Sequence, residues 1–175
     1  MRIISGKLKG KSINFIKSSS TRPLKDSVKE NIFNILTHSN KINVEIEKAN
    51  ILDLYSGIGS FGLECISRGA HNVTFVEKNK LATNILEKNL NELSITDQAL
   101  IINDKIENFH NRGKKKYNIF FLDPPFADSE FINNLKKIKS NNMYEDKHIV
   151  IIHREKNTND NFEGNIEILI SKKYS

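Results

Sequence analysis

Between Ile51 and Arg68 the chain passes from an apolar run through a glycine-rich turn into a helical pattern. Ile51-Leu52-Asp53-Leu54 reads as a buried strand. Gly57, Gly59 and Gly62 then spell G-x-G-x-x-G, and a helix is expected over 60–68. Such a unit needs a second parallel strand beside the first. The pattern downstream supplies it, with strands expected at 73–77, 99–103, 118–122 and 148–152, and helices at 80–92 and 129–139. That alternation implies an α/β fold with a parallel sheet, whose ligands bind beyond the carboxyl ends of the strands. A further strand candidate covers 166–170. A chain of 175 residues is long enough for one full core.

Acidic residues stand at the carboxyl ends of these strands. Glu77 lies 20 residues beyond Gly57, where a carboxylate can take two ribose hydroxyls. So far a nicotinamide dinucleotide and S-adenosylmethionine fit equally. Asp53 separates them, because it precedes the glycine loop, where a dinucleotide sets its pyrophosphate. A carboxylate there repels phosphate and suits an ammonium and a sulfonium. S-adenosylmethionine has both and no phosphate. Asp104 follows the run 99–103 and can accept from an adenine amino group. The expected cofactor site is therefore Asp53, Gly57, Gly59, Glu77 and Asp104.

The fourth strand ends in Asp123-Pro124-Pro125-Phe126. Two prolines make the turn stiff, and neither can donate a backbone hydrogen bond. Their carbonyls are expected to stay free as acceptors. Asp123 adds an anionic acceptor and Phe126 a flat apolar face. Together they form a grip for a planar group carrying an NH2, such as a nucleobase. A tight turn without chemistry is the plainer alternative.

Charge is distributed unevenly. Residues 1–30 hold eight Lys or Arg against two acids, which is the chain's whole net charge of +6, while the remainder carries 19 of each sign. Such a basic end suggests nucleic acid as partner. Arg2, Lys7, Lys9, Lys11 and Arg22 are the expected RNA contacts. Residues 3–16 read as a hairpin and Ser18 to Thr21 as a linker. A helix is expected from Ser27 to Leu36, with Ser27 and Glu30 as a capping box. The expected organisation is a basic hairpin and linker over 1–26 and a catalytic domain over 27–175.

One cysteine, Cys65, cannot make an internal disulfide and reads as a core residue. The five histidines show no metal spacing. No apolar run approaches membrane-spanning length, and no signal peptide is evident. A cytoplasmic monomer without metal or membrane partner is expected.

At this point the chain resembles the bacterial 16S ribosomal RNA guanine-N2-methyltransferases. The resemblance rests on Met1-Arg2-Ile3-Ile4-Ser5-Gly6-Lys7, on Arg22-Pro23 followed by Asp26, Val28, Glu30 and Phe33, and on Asp53 to Glu64. Ser67-Arg68-Gly69-Ala70, Val76-Glu77-Lys78-Asn79 and Leu122-Asp123-Pro124-Pro125-Phe126 complete it. It implies a Rossmann-like class I methyltransferase sheet with helices on both faces. It further implies methyl transfer from S-adenosylmethionine to N2 of one guanine in 16S ribosomal RNA, naked or in a small-subunit particle. The chain departs from the family at several positions. Leu24 stands for Thr, Ser27 and Lys29 stand for Arg, Phe126 for Tyr, and His153 for Glu. Losing Arg at 27 and 29 would weaken bidentate phosphate contact. The family's seven-stranded sheet would need three strands after the Pro turn, and only two candidates follow it.

Alternatives remain open on sequence grounds. A D-P-P-aromatic turn also serves adenine N6 and other planar amines. An NAD-dependent oxidoreductase and a non-catalytic RNA-binding assembly factor are the other two.

Overall fold

The structure is a computed structural model describing residues 1–15, 24–111, 114–125, 127–128, 130–154, 158, 160, 162, 164 and 166–173. Its elements in chain order are α1 (Asp26–His38), β1 (Asn50–Leu54), α2 (Ser60–Ser67), β2 (Asn72–Val76), α3 (Lys80–Glu92), β3 (Ala99–Ile102), β4 (Tyr117–Leu122), α4 (Phe131–Ser140) and β5 (Tyr144–Ile152). The five strands form one sheet in the order β3-β2-β1-β4-β5, and every neighbouring pair is parallel. The strand order reverses beside β1, so the crevice at β1 and β4 is the natural ligand position.

Each strand alternates its side chains between two helical layers. Ile51, Val73, Phe75, Ile119 and Phe121 face one way, into a core shared with Val28, Ile32 and Phe33 of α1, Leu63 and Ile66 of α2 and Leu86 of α3. Leu52, Leu54, Val76, Phe120 and Leu122 face the other, against Phe131, Leu135 and Ile138 of α4. With both faces covered, the central strands β1, β2 and β4 are mostly apolar and buried instead of alternating. A column of rings joins the layers of the first face. Phe33 stacks on Phe61 at 5.2 Å and Phe61 on Phe121 at 4.0 Å between centroids, a geometry worth more than its buried area alone.

Four expectations change. The helix expected from Ser27 starts at Asp26, and its N-cap is Lys25, which makes no side-chain cap bond. The capping box does not form because Ser27 is already inside the first turn. The hairpin of 3–16 contains, among the described residues, a single antiparallel bridge, Arg2 to Ser12. Backbone bonds from Ile3 to Lys11, Gly10 to Ile3 and Ile13 to Met1 fold the segment on itself. The strand expected at 166–170 is not one; Ile168 and Leu169 are exposed and join no ladder among the described residues. β5 in turn is longer than expected, nine residues from Tyr144. The linker at 18–21 and Arg22 lie outside the described residues. No helix among the described residues is long and apolar enough to cross a membrane.

Lys29 holds the largest surprise. It is completely buried, its Nζ 3.5 Å from Asp26 and 4.0 Å from Glu64, and it donates to the Arg2 carbonyl. Glu64, equally buried, accepts from the Ile4 and Ser5 amides and from Arg68 Nε at 2.9 Å. A charge so far from water must be paired or it is strongly destabilising. Lys29 thus serves the interior and cannot touch phosphate, which corrects the reading that an Arg-to-Lys change here weakens RNA contact. Gly6 lies so close to Ser67 that a Cβ would strike its carbonyl, and the Lys7 amide donates to that same oxygen. The basic segment is in this way seated on the end of α2.

Candidate active site at the carboxyl edge of the sheet

Parallel register explains which acids meet. Asp53 is level with Phe75 on β2 and Phe121 on β4. Glu77 and Asp123 lie two residues beyond those phenylalanines. Side chains two apart on a strand share a face, so Asp53, Glu77 and Asp123 all open on the α2 side of the sheet edge.

The glycine loop is built around two of them. After β1 the backbone turns sharply at Tyr55, a non-glycine residue with φ 59°, a strained conformation of the kind that gathers at functional sites. Gly59 (φ 82°) is the N-cap of α2; a side chain there would also strike Leu86. At Gly62 a Cβ would collide with the Phe75 ring, so α2 lies directly on β2. Gly57 differs, because a Cβ would meet nothing within 4 Å. The loop is open there. Its amide donates to Glu77 Oε2 at 2.9 Å, while Glu77 Oε1 accepts from Asn79 at 2.7 Å. Asn79 in turn caps α3 through the Leu81 and Ala82 amides. The motif's acid therefore holds the loop and the next helix start in one piece, and each oxygen keeps further acceptor capacity.

Asp53 is buried, and its Oδ2 accepts from the Gly62 amide at 3.0 Å. Among the described residues its Oδ1 has no partner, nor does the buried hydroxyl of Ser56 nearby in the loop. Burial pushes the Asp53 carboxyl well above the usual carboxylate range; the Gly62 amide opposes this, and the charges of Asp123 and Glu77 add to it. An unpartnered buried carboxylate oxygen facing two more acids is a place for positive charge.

Asp104 stands apart. It is fully exposed beyond β3 and accepts from Asn108 Nδ2 and the Lys105 amide, which together hold it below the usual carboxylate range. It closes a short turn rather than joining the other three.

Around the proline turn the structure adds residues that the sequence did not assign to the site. Pro124 and Pro125 do not keep both carbonyls free: the Pro125 oxygen accepts from the Asp128 amide at 2.9 Å and from Arg154 at 3.0 Å, and Arg154 also lies 3.5 Å from the Pro124 oxygen. The reason is that Arg154 follows β5, the parallel neighbour of β4, and so reaches the same edge. Its guanidinium pairs with Asp160 and covers the Phe131 ring at 4.7 Å. His153 Nδ1 lies 2.8 Å from Asp123 Oδ1. Tyr55 receives a bond from Asn134 of α4, and burial raises its phenol strongly, helped by Asp128. Phe126 lies outside the described residues. A cavity of about 1310 Å³ between α1, β5 and the stretch 166–173 has Asp123 and His153 in its wall.

Arg2, Lys7, Lys9 and Lys11 are exposed on the amino-terminal segment, with Lys7 Nζ bound to Gln98 at 2.7 Å. They do not join the carboxylate cluster. Cys65 is buried in the core, as its setting in the sequence suggested.

Comparison with known proteins adds the following. A family model described as conserved hypothetical protein 95 matches residues 1–175. A ribosomal RNA small subunit methyltransferase D of Buchnera aphidicola is 33% identical over 159 residues, 91% of this chain and 78% of that protein. The Escherichia coli protein of the same name is 30% identical over 155 residues, covering 89% and 75%. Among solved structures, a Haemophilus influenzae protein described as a putative methylase superposes with a TM-score of 0.77 at 29% identity, covering 99% of this chain and 92% of that one.

Proposed function

Because the chain belongs to the family described as conserved hypothetical protein 95, and has the Rossmann-like class I methyltransferase fold, we propose that it methylates small-subunit ribosomal RNA. The acceptor is the exocyclic N2 of a guanine and the donor is S-adenosylmethionine. The observation that carries the reading is the set of three carboxylates, Asp53, Glu77 and Asp123, on one side of the sheet edge beside the open backbone at Gly57.

The donor set fits this cofactor. Asp53 and Glu77 offer negative charge and spare acceptors to an ammonium and to ribose hydroxyls. No arrangement of this kind suits a pyrophosphate. When bound, S-adenosylmethionine supplies a methyl group made electrophilic by its sulfonium. The protein's part is orientation and electrostatics. Asp123 accepts a hydrogen of the amine and keeps the nitrogen lone pair out of ring conjugation. It also faces the positive charge that grows on nitrogen as the methyl arrives. The proline turn, tied to β5 through Arg154, holds that carboxylate at a constant position. Phe126 stacks on the base. The base must leave its own stack to reach the turn. Arg2, Lys7, Lys9, Lys11 and Arg22 hold RNA phosphates, while Asp104 meets the adenine edge of the cofactor.

The test is transfer of tritium from methyl-labelled S-adenosylmethionine to small-subunit ribosomal RNA, naked and assembled with its proteins, against DNA and peptide controls. Digestion of the product should yield N2-methylguanosine. Label appearing as N6-methyladenosine, or in peptide, overturns the acceptor assignment. No transfer to any of them overturns the enzyme reading.

A further inference from the structure

We propose that His153 is a positioning residue for the Asp123 carboxylate and gives methyl transfer an acidic limit that the carboxylate alone would not impose. This rests on the reading above, in which Asp123 meets the acceptor amine. The geometry is direct: the imidazole Nδ1 lies 2.8 Å from Asp123 Oδ1, and both side chains are partly exposed, at 29% and 26%. The backbone is locked as well, since the His153 amide donates to the Leu122 carbonyl, one residue before Asp123. A carboxylate only accepts, so Nδ1 carries the hydrogen in this pair. One oxygen of Asp123 is thereby held, and the other is left for the amine. Without the imidazole, the carboxylate can rotate about its last bond, a broad two-fold torsion.

The same contact sets a charge. With neutral imidazole the pair carries −1 and favours the cation forming on the amine nitrogen. With imidazolium the pair is neutral and that advantage shrinks. Turnover should therefore fall on the acidic side, wherever the imidazolium forms. Other charges face the pair. Asp53 lies deeper on the same side. Arg154 is matched by Asp160. Lys25 at the N-cap of α1, His148 of β5, and Glu167, Lys172 and Lys173 of the last stretch line the neighbouring cavity. Among the described residues, the side chain bonded to the Asp123 carboxylate is that of His153.

The experiment compares the parent, His153→Ala, His153→Asn and Asp123→Ala, following tritium transfer to small-subunit ribosomal RNA from pH 6 to pH 8.5. At the alkaline end His153→Ala should lose about tenfold in kcat, the weight of one hydrogen bond to a charged group, with cofactor KM within about twofold. Asn sets an amide nitrogen near the place of Nδ1 and cannot change charge. His153→Asn should recover most of the turnover and lose the parent's acidic limb. A His153→Ala protein as fast as the parent at every pH overturns the proposal, as does a His153→Asn protein that keeps the limb. If alanine at 153 prevents folding, the Asn profile decides alone. Asp123→Ala keeps the two layers apart. Parental turnover in that variant sinks the role of Asp123 and this inference with it. An inactive Asp123→Ala beside an unaffected His153 series sinks only the pairing.

Discussion

The two halves of the sheet edge are assembled in different ways. The half around β1 and β2 is built by neighbours in sequence: the Gly57 amide on Glu77 spans 20 residues, and the Gly62 amide on Asp53 spans 9. The half around β4 depends on β5: Arg154 on Pro125 spans 29 residues and His153 on Asp123 spans 30. In the first half, carboxylates are held by backbone amides of a glycine loop. In the second, a carboxylate and two carbonyls are held by side chains. A motif read along the chain captures the first kind of contact and misses the second. It follows that the two halves should fail separately when cut.

Asp123→Ala gives the largest expected effect. Turnover should fall by about a hundredfold or more, as when one group aimed at developing charge is removed. The thermal shift produced by S-adenosylmethionine should stay as in the parent. A variant that loses the shift along with turnover would show that the halves are one unit.

Glu77→Gln cuts the other half. Cofactor affinity should drop by about tenfold to a hundredfold, the range for a hydrogen bond to a charged group. Saturating cofactor should restore kcat. Isothermal titration and a cofactor series at fixed RNA read the two quantities, and an unrestored kcat would tie Glu77 to the acceptor side.

Asp53→Asn sharpens the comparison through stability. The folded-state carboxyl sits above its unfolded value, so the native protein holds this proton more firmly than the unfolded chain does. Stability is then greatest below the unfolded value and declines as pH rises through the folded one. At neutral pH without cofactor, Asp53→Asn should raise Tm by about 2 to 4 °C for each kcal/mol of relieved burial. It should also flatten the decline of Tm with pH and weaken the cofactor shift. A lower Tm would mean the carboxylate is compensated inside the fold.

The smallest effect belongs to the basic segment. Replacing Lys7, Lys9 and Lys11 by Ala should flatten the salt dependence of RNA binding by roughly 0.7 to 0.9 in slope for each phosphate no longer neutralised. Cofactor binding and Tm should hold, since these side chains are exposed while Ile3 and Ile13 carry the packing. A fall in Tm with an unchanged slope would make the segment a cover for α2 and no RNA contact.

Much of this was legible in the residue order, for a physical reason. A strand, a glycine turn and a helix are local, so Ile51 to Gly62 declares its shape without knowing its neighbours. The acids at strand ends followed, because parallel strands must share one carboxyl edge. Lys29 was not legible: on a helix the same residue suits a phosphate or a buried carboxylate, and only the approach of Glu64 from α2 decides. Ile166 to Ile170 has strand composition, yet a strand needs an edge to pair with, and composition cannot say whether one is within reach. By itself, then, the residue order determined the alternation of elements, the glycine loop and the placing of acids at four strand ends, of which Asp104 stands apart, since backbone sterics and periodic burial act over a few residues. The tertiary structure alone decided that His153 and Arg154 hold the proline turn and that the Lys29–Glu64 pair holds the basic segment, because those contacts join residues about 30 and 60 positions apart, and only the folded sheet sets their distance.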